Sequence, residues 1–170
     1  MVNSVSRNRQ LQRFSLPLLA SLAGIAFELC SERALAQSPP IFENATVSPS
    51  FSPDPVILRG ISGGQFPARE ISGRAETATG PCVGFMDSSP DHTLTLTSFF
   101  DFLSIEVNSS EDTDTTMTVK GPGGAWCNDD ITGKNPGIGG QWQEGTYEIW
   151  IGSYQKDKYF PYTLRITQIR

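Results

Sequence analysis

The sequence predicts an all-β domain built as two facing sheets, a jelly-roll-like β-sandwich, exported behind a cleaved leader. Three observations predict it. Apolar residues recur with period two in short runs along the chain from Val56 onward. Glycine, proline, asparagine and aspartate separate nearly all of these runs, and no window carries the 3.6-residue period of an amphipathic helix. Short strands divided by turn signals are the pattern of a sandwich or barrel, and no unit repeats at the fixed period of a solenoid or propeller.

The leader comes first. Arg7, Arg9 and Arg13 form a basic start, an apolar stretch runs from Phe14 to Phe27, and Ala34-Leu35-Ala36 stands before Gln37. That order is the one of a secretory signal peptide, so residues 1–36 are expected to be removed. The apolar stretch is short for a membrane span and holds Pro17 and Gly24, so no integral membrane segment is expected in the mature chain. Phe27-Glu28-Leu29 put bulk and charge before Cys30, where lipid attachment needs small residues. The expected location is periplasmic or extracellular. The leader holds four of the 13 basic and two of the 18 acidic residues, which leaves nine against 16 and a net charge of −7. A domain this acidic repels nucleic acid and anionic membrane, and a charged partner would be a cation.

Residues 37–55 are rich in proline and serine and read as a linker or an extended lead-in strand, with Ile41 and Phe42 placed to dock on the core. One domain is expected over residues 56–170. Its strands follow in order. "PVILRGISGG" is an apolar strand stopped by Gly63-Gly64. "AREISGRA" alternates with Ile71 inward. "DHTLTLT" sets Leu94 and Leu96 against three threonines. "FDFLSIEVN" sets Phe100, Phe102, Ser104 and Glu106 against Asp101, Leu103, Ile105 and Val107. "TTMTVKG" puts Met117 and Val119 on one face. "TYEIWIGSY" sets Tyr147, Ile149 and Ile151 opposite Glu148 and Trp150, and "YTLRITQI" closes with Leu164 and Ile166. Cys82 and Cys127 are the cysteines left after cleavage, and in an exported chain an even pair reads as a disulfide.

The segments "GPCVGFMDSSPDHTLTL", "DTTMTVKGPGGAWCNDD" and "NPGIGGQWQEGTYEIWIGSY" together resemble the bacterial pre-peptidase C-terminal family of exported β-sandwich modules. The matching points are a strand ending in a Gly-rich turn, the Asn-Asp-Asp after it, a Gly-Thr-Tyr strand start and a penultimate strand with a tryptophan. The resemblance covers Val56 to Gln168. It implies a module that accompanies secreted peptidases or other hydrolases and is not itself catalytic. This chain carries no peptidase domain beside it, so service to an attached protease is not implied.

Two groups of residues are candidates for chemistry. Asp114, Asn128, Asp129 and Asp130 fall at neighbouring ends if residues 112–120 and 125–127 form a hairpin. Hard oxygen ligands and carbonyls of a Gly-rich turn suit Ca2+, which takes six to eight oxygens. The alternative is turn chemistry, since Asp and Asn bond nearby backbone amides. Consecutive strand residues face opposite ways, so Asp129 and Asp130 share an ion only if the chain bends. A disulfide would also draw Asp87 and Asp91 toward this patch. The second group is aromatic: Trp126, Trp142, Trp150 and Tyr154 are candidates for a face that stacks on sugar or peptide, against core packing as the alternative.

No catalytic residue is assigned. His92 is the single histidine, and Asp91 beside it cannot form a triad with it because neighbours on a strand diverge. His92 is expected to be a surface strand residue. The function expected is a non-catalytic exported binding or accessory module for a protein or polysaccharide, stabilised by calcium. Its rivals are a small exported hydrolase using acidic-loop carboxylates and a structural subunit that pairs through a sheet edge. Intact-mass measurement on the exported protein is expected to give a chain beginning at Gln37; a mass that retains residues 1–36 refutes the cleavage.

Overall fold

The structure, a computed structural model, describes residues 40–169. The expected leader, residues 37–39 and Arg170 lie outside the described residues. In chain order the elements are β1 (Ala45–Val47), β2 (Val56–Ser62), β3 (Phe66–Pro67), the helix α1 (Ala68–Ser72), β4 (Glu76–Thr77), β5 (Gly80–Pro81), β6 (Phe85–Met86), β7 (His92–Leu96), β8 (Phe100–Asn108), β9 (Thr115–Gly121), β10 (Gly124–Asn128), β11 (Gly137–Trp142), β12 (Gly145–Ser153) and β13 (Phe160–Gln168).

These strands build the two-sheet sandwich that the alternation predicts. In a seven-stranded sheet, β12 pairs antiparallel with β9 along one edge, and with β7 and then β6 along the other. β10 continues beyond β9, β1 runs parallel beside β7, and β3 pairs with β6. The facing sheet has four antiparallel strands in the order β11-β8-β13-β2.

Period two explains the core. Met117 and Val119 of β9 and Tyr147, Ile149 and Ile151 of β12 meet Leu103, Ile105 and Val107 of β8 and Leu164 and Ile166 of β13. Fully burying an aliphatic side chain of this kind contributes about 1.5–3 kcal/mol. Strand β8 departs from simple alternation, because Phe100 and Leu103 are both buried although they are three apart. The pairing shows how: Trp142 stands opposite Phe100 and Gly140 opposite Leu103, so β8 carries one extra residue there. Such a bulge lets two residues of opposite parity face the same core.

The seven-stranded sheet is buried on its outer face as well. Ala68, Cys82, Met86, Cys127 and Trp150 form a second cluster, with Ile71 packed against it. The segment expected as a strand around Ile71 is instead the single helical turn α1. Pro67 precedes it, and Gly73 ends it in the left-handed region at φ 74. Ala68 and Ser72, four residues apart, lie on one helical face and are both buried. Five residues are too few for alternation and a helical turn to differ in pattern.

The disulfide between Cys82 and Cys127, 45 residues apart, ties this cover to β10. The β4–β5 hairpin lies along β10: the Cys127 amide donates to Thr77 Oγ1 at 2.9 Å, and Thr79 Oγ1 donates to the Cys127 carbonyl at 2.7 Å. Threonine side chains thereby occupy backbone groups that an edge strand would otherwise offer to another chain. The proline-rich segment is held from Phe42 on. The Phe42 amide donates to the Arg59 carbonyl at 2.7 Å, the Thr93 amide donates to Asn44 Oδ1 at 2.6 Å, and the Ser50 amide donates to Gln168 Oε1 at 2.7 Å. Among the described residues, no helix is long and apolar enough to cross a membrane.

Unreduced protein is expected to take up no thiol reagent at Cys82 or Cys127 even when denatured. Reduction should lower unfolding stability by about 3–4 kcal/mol, the chain-entropy value for a loop of this length. Labelling before reduction, or unchanged stability after it, contradicts the pinning role.

Candidate functional site

Strands β9 and β10 form the expected hairpin, with Trp126 opposite Val119 and Asn128 opposite Met117. Asp114 precedes β9, and Asp129 and Asp130 follow β10, so three carboxylates meet at one end. One carboxylate oxygen from each lies within 4.8 Å of the other two. The chain leaves the strand after Asn128 and turns back through a bridge between Thr132 and Asn135, which puts both consecutive aspartates on the side of Asp114. Asp129 Oδ1 is buried and has no hydrogen-bond partner among the described residues. Burial foremost, then the charges of Asp130 and Asp114, push the Asp129 carboxyl up from 3.8 to about 6. Burial and Asp130 also raise Asp114, and Lys134 opposes them.

Asn128 stands apart from this trio. Its Nδ2 donates to the Thr79 carbonyl at 2.8 Å, and its Oδ1 accepts the Gly137 amide at 2.9 Å. It clamps the β4–β5 hairpin to the start of β11, and a side chain held at both ends is a tie rather than a free ligand. Asp87 and Asp91 are not in the trio either; the disulfide does not merge the two acidic turns into one cluster.

The four aromatic candidates divide. Trp142 and Trp150 are each 4% exposed. Trp142 donates Nε1–H to the Leu103 carbonyl at 2.9 Å in the main core, and Trp150 lies in the outer cluster with Lys120 Nζ 5.7 Å from its ring centroid. Trp150 is therefore covered on the outer face by α1 and the disulfide loop, a site that alternation alone does not reveal. Tyr154 is exposed, beside Arg69 and Phe85. Trp126 is half-buried, with Trp142 and Tyr147 at 5.9 and 6.2 Å between ring centroids. It walls a cavity of about 140 Å3 whose other side is β11 from Ile138 to Trp142, with Gln143 beyond. Sequence reasoning missed β11, because three glycines in "GIGGQW" erase the alternation.

His92 is not on the surface; it is 1% exposed. Its Nδ1 lies 2.6 Å from the Glu43 carbonyl, which has no proton to give, so Nδ1 carries the hydrogen. Nε2 then accepts from Tyr162 Oη at 2.8 Å. Burial foremost lowers the His92 pKa, and it raises that of Tyr162. Asp91 is buried too. Its carboxylate accepts the Ile151 amide at 2.7 Å while its own amide donates to the Ile149 carbonyl at 2.9 Å. Burial raises its carboxyl from 3.8 to about 7. Both side chains are engaged within the fold.

No protein-family model matches the chain. An uncharacterized protein of Synechococcus elongatus is 26% identical over 107 residues, covering 61% of this chain and 78% of that protein. Among solved structures the chain is similar to the pre-peptidase C-terminal domain of a collagenase from Bacillus anthracis, with a TM-score of 0.45 and 13% identity, over 77% of this chain and 100% of that one. The sandwich itself is assigned from the strand pairing above.

The raised Asp129 carboxyl predicts a pH dependence with a definite sign. The folded state holds a proton at Asp129 up to about pH 6 and the unfolded state only to about 3.8, so this residue's contribution declines as pH rises between those values. In cation-free buffer, Asp129→Asn should therefore gain stability relative to the wild type from pH 4 to pH 7. Asp91 and His92 titrate in both proteins and drop out of the difference. Urea unfolding at four pH values measures it, and a difference that stays flat contradicts the assignment.

Proposed function

We propose that the chain is a non-catalytic, exported β-sandwich module that binds another molecule, a protein or a polysaccharide, and is stabilised by a calcium ion at Asp114, Asp129 and Asp130. The observation that carries this reading is the convergence of three carboxylates on one point, with a buried Asp129 oxygen that no donor among the described residues satisfies. Three carboxylates supply three to six oxygens, and carbonyls and water complete the six to eight that calcium takes. Burial foremost, and then the neighbouring carboxylate charges, hold Asp129 and Asp114 above their ordinary range, and a cation would offset both. Export is supported by the disulfide and by the basic, apolar and small-residue order of the leader. A hydrolase reading would use the same converging carboxylates, Asp114, Asp129 and Asp130, while Asp91 is bonded to β12.

Calorimetric titration of the purified protein with CaCl2 tests the reading. Saturable heat is expected, with a rise in unfolding stability of about 2.7 kcal/mol at a free calcium level one hundred times Kd. Asp129→Asn combined with Asp130→Asn should abolish both. No heat and no thermal shift in the wild type would remove the calcium site.

A further inference from the structure

We propose that the cavity beside Trp126 is a subsite for one neutral pyranose ring of a polysaccharide. The proposal rests on the binding-module reading and names the ligand class.

The cavity opens between the end of β10 in one sheet and the edge strand β11 in the other. Its two walls differ. One is aromatic: Trp126, backed by Tyr147. The other is nearly bare backbone at Gly139 and Gly140, where a Cβ added at Gly140 would meet nothing within 4 Å. Ile138, Gln141, Trp142 and Gln143 line the same side, and the open space at Gly140 leaves a slot beside the indole for a flat ring. The volume, about 140 Å3, lies below the roughly 300–1,000 Å3 of pockets that enclose a drug-sized ligand. It therefore admits one ring of a longer molecule.

Charge and hydrogen bonding narrow the ligand further. Among the described residues no charged side chain lines the cavity, although the chain as a whole carries a net −5. The ligand is accordingly neutral. Gln141 and Gln143 stand exposed at the rim, and their side-chain amides make no hydrogen bond among the described residues. Each offers two donors and an acceptor. A pyranose has an apolar C–H face for the indole and hydroxyls around its edge for the two amides. A prolyl or aromatic side chain would use the indole and leave both amides to water.

Tryptophan fluorescence reads the site, because Trp126 and Trp142 line the cavity and Trp150 lies in the outer cluster. The purified protein is titrated with neutral hexasaccharides of glucose, mannose and N-acetylglucosamine, and with a hexauronate and a proline-rich hexapeptide as contrasts. At least one neutral hexasaccharide should give a saturable change. Gln141→Ala with Gln143→Ala should weaken its binding about tenfold, the loss of one or two hydrogen bonds, at unchanged thermal stability. Equal binding of the hexauronate overturns the neutral assignment. Binding of the peptide alone overturns the ligand class and leaves the binding-module reading standing. Silence toward every probe overturns the subsite, whatever calcium titration shows.

Discussion

From Ile149 to Ser153, strand β12 is buried on both faces, and the arrangement of the other strands follows from that. Ile149 and Ile151 point into the sandwich while Trp150, between them, points into the outer cluster. A strand with no wet face must have its backbone groups paired at both edges, since a buried group left unpaired costs about 1–3 kcal/mol. β9 supplies one edge from Glu148 to Ser153. The other edge is shared: β7 ends its pairing at Ile149, and β6 pairs only at Ser153. Asp91 and Gly63 fill the gap. Asp91 takes the Ile149 carbonyl with its amide and the Ile151 amide with its carboxylate, and the Gly63 amide donates to the Ile151 carbonyl at 3.1 Å. A carboxylate here substitutes for a missing stretch of strand, which accounts for its burial without any catalytic role.

That comparison isolates what is unusual about Asp129. Both aspartates are pushed upward by burial, but Asp91 is compensated by a backbone donor. Asp129 has an unpartnered oxygen and two carboxylates for neighbours. Lys134 acts on Asp114 in the opposite direction. A carboxylate stacked on backbone amides is finished structure. One aimed at other carboxylates has no such donor.

The fold was legible wherever side chains alternate over five or more residues, as in β7, β9, β12 and β13. There each core residue reads directly from parity. It was illegible where parity breaks or is absent. The bulge in β8 parts Phe100, which is buried, from Phe102, which parity puts on the same face but which is exposed; β11 has too few side chains to show a face; α1 is one turn long. The disulfide was legible from the count of cysteines and the leader. The burial of His92 was not, because it depends on Tyr162 and Glu43, which lie 70 and 49 residues away in sequence. The acidic trio was legible as a hairpin end, but the reassignment of Asn128 to a clamp needed Thr79 and Gly137, which no local pattern names.

Strand β10 links these features within four residues. Trp126 turns inward to the cavity, Cys127 outward to the disulfide, Asn128 bridges two loops, and Asp129 begins the acidic turn. Alternation forces this order, because a strand that sends an aromatic ring one way must send the next side chain the other. The position of Trp126 is thus set from both sides, by the cysteine bridge and threonine hydrogen bonds on one residue and by the loop geometry that the carboxylates impose two residues on. Neutralising the charge at the trio would tighten the second of these supports and leave the first unchanged. A cation at the trio would therefore act on the aromatic wall by fixing the end of β10, with no contact between the ion and whatever occupies the cavity.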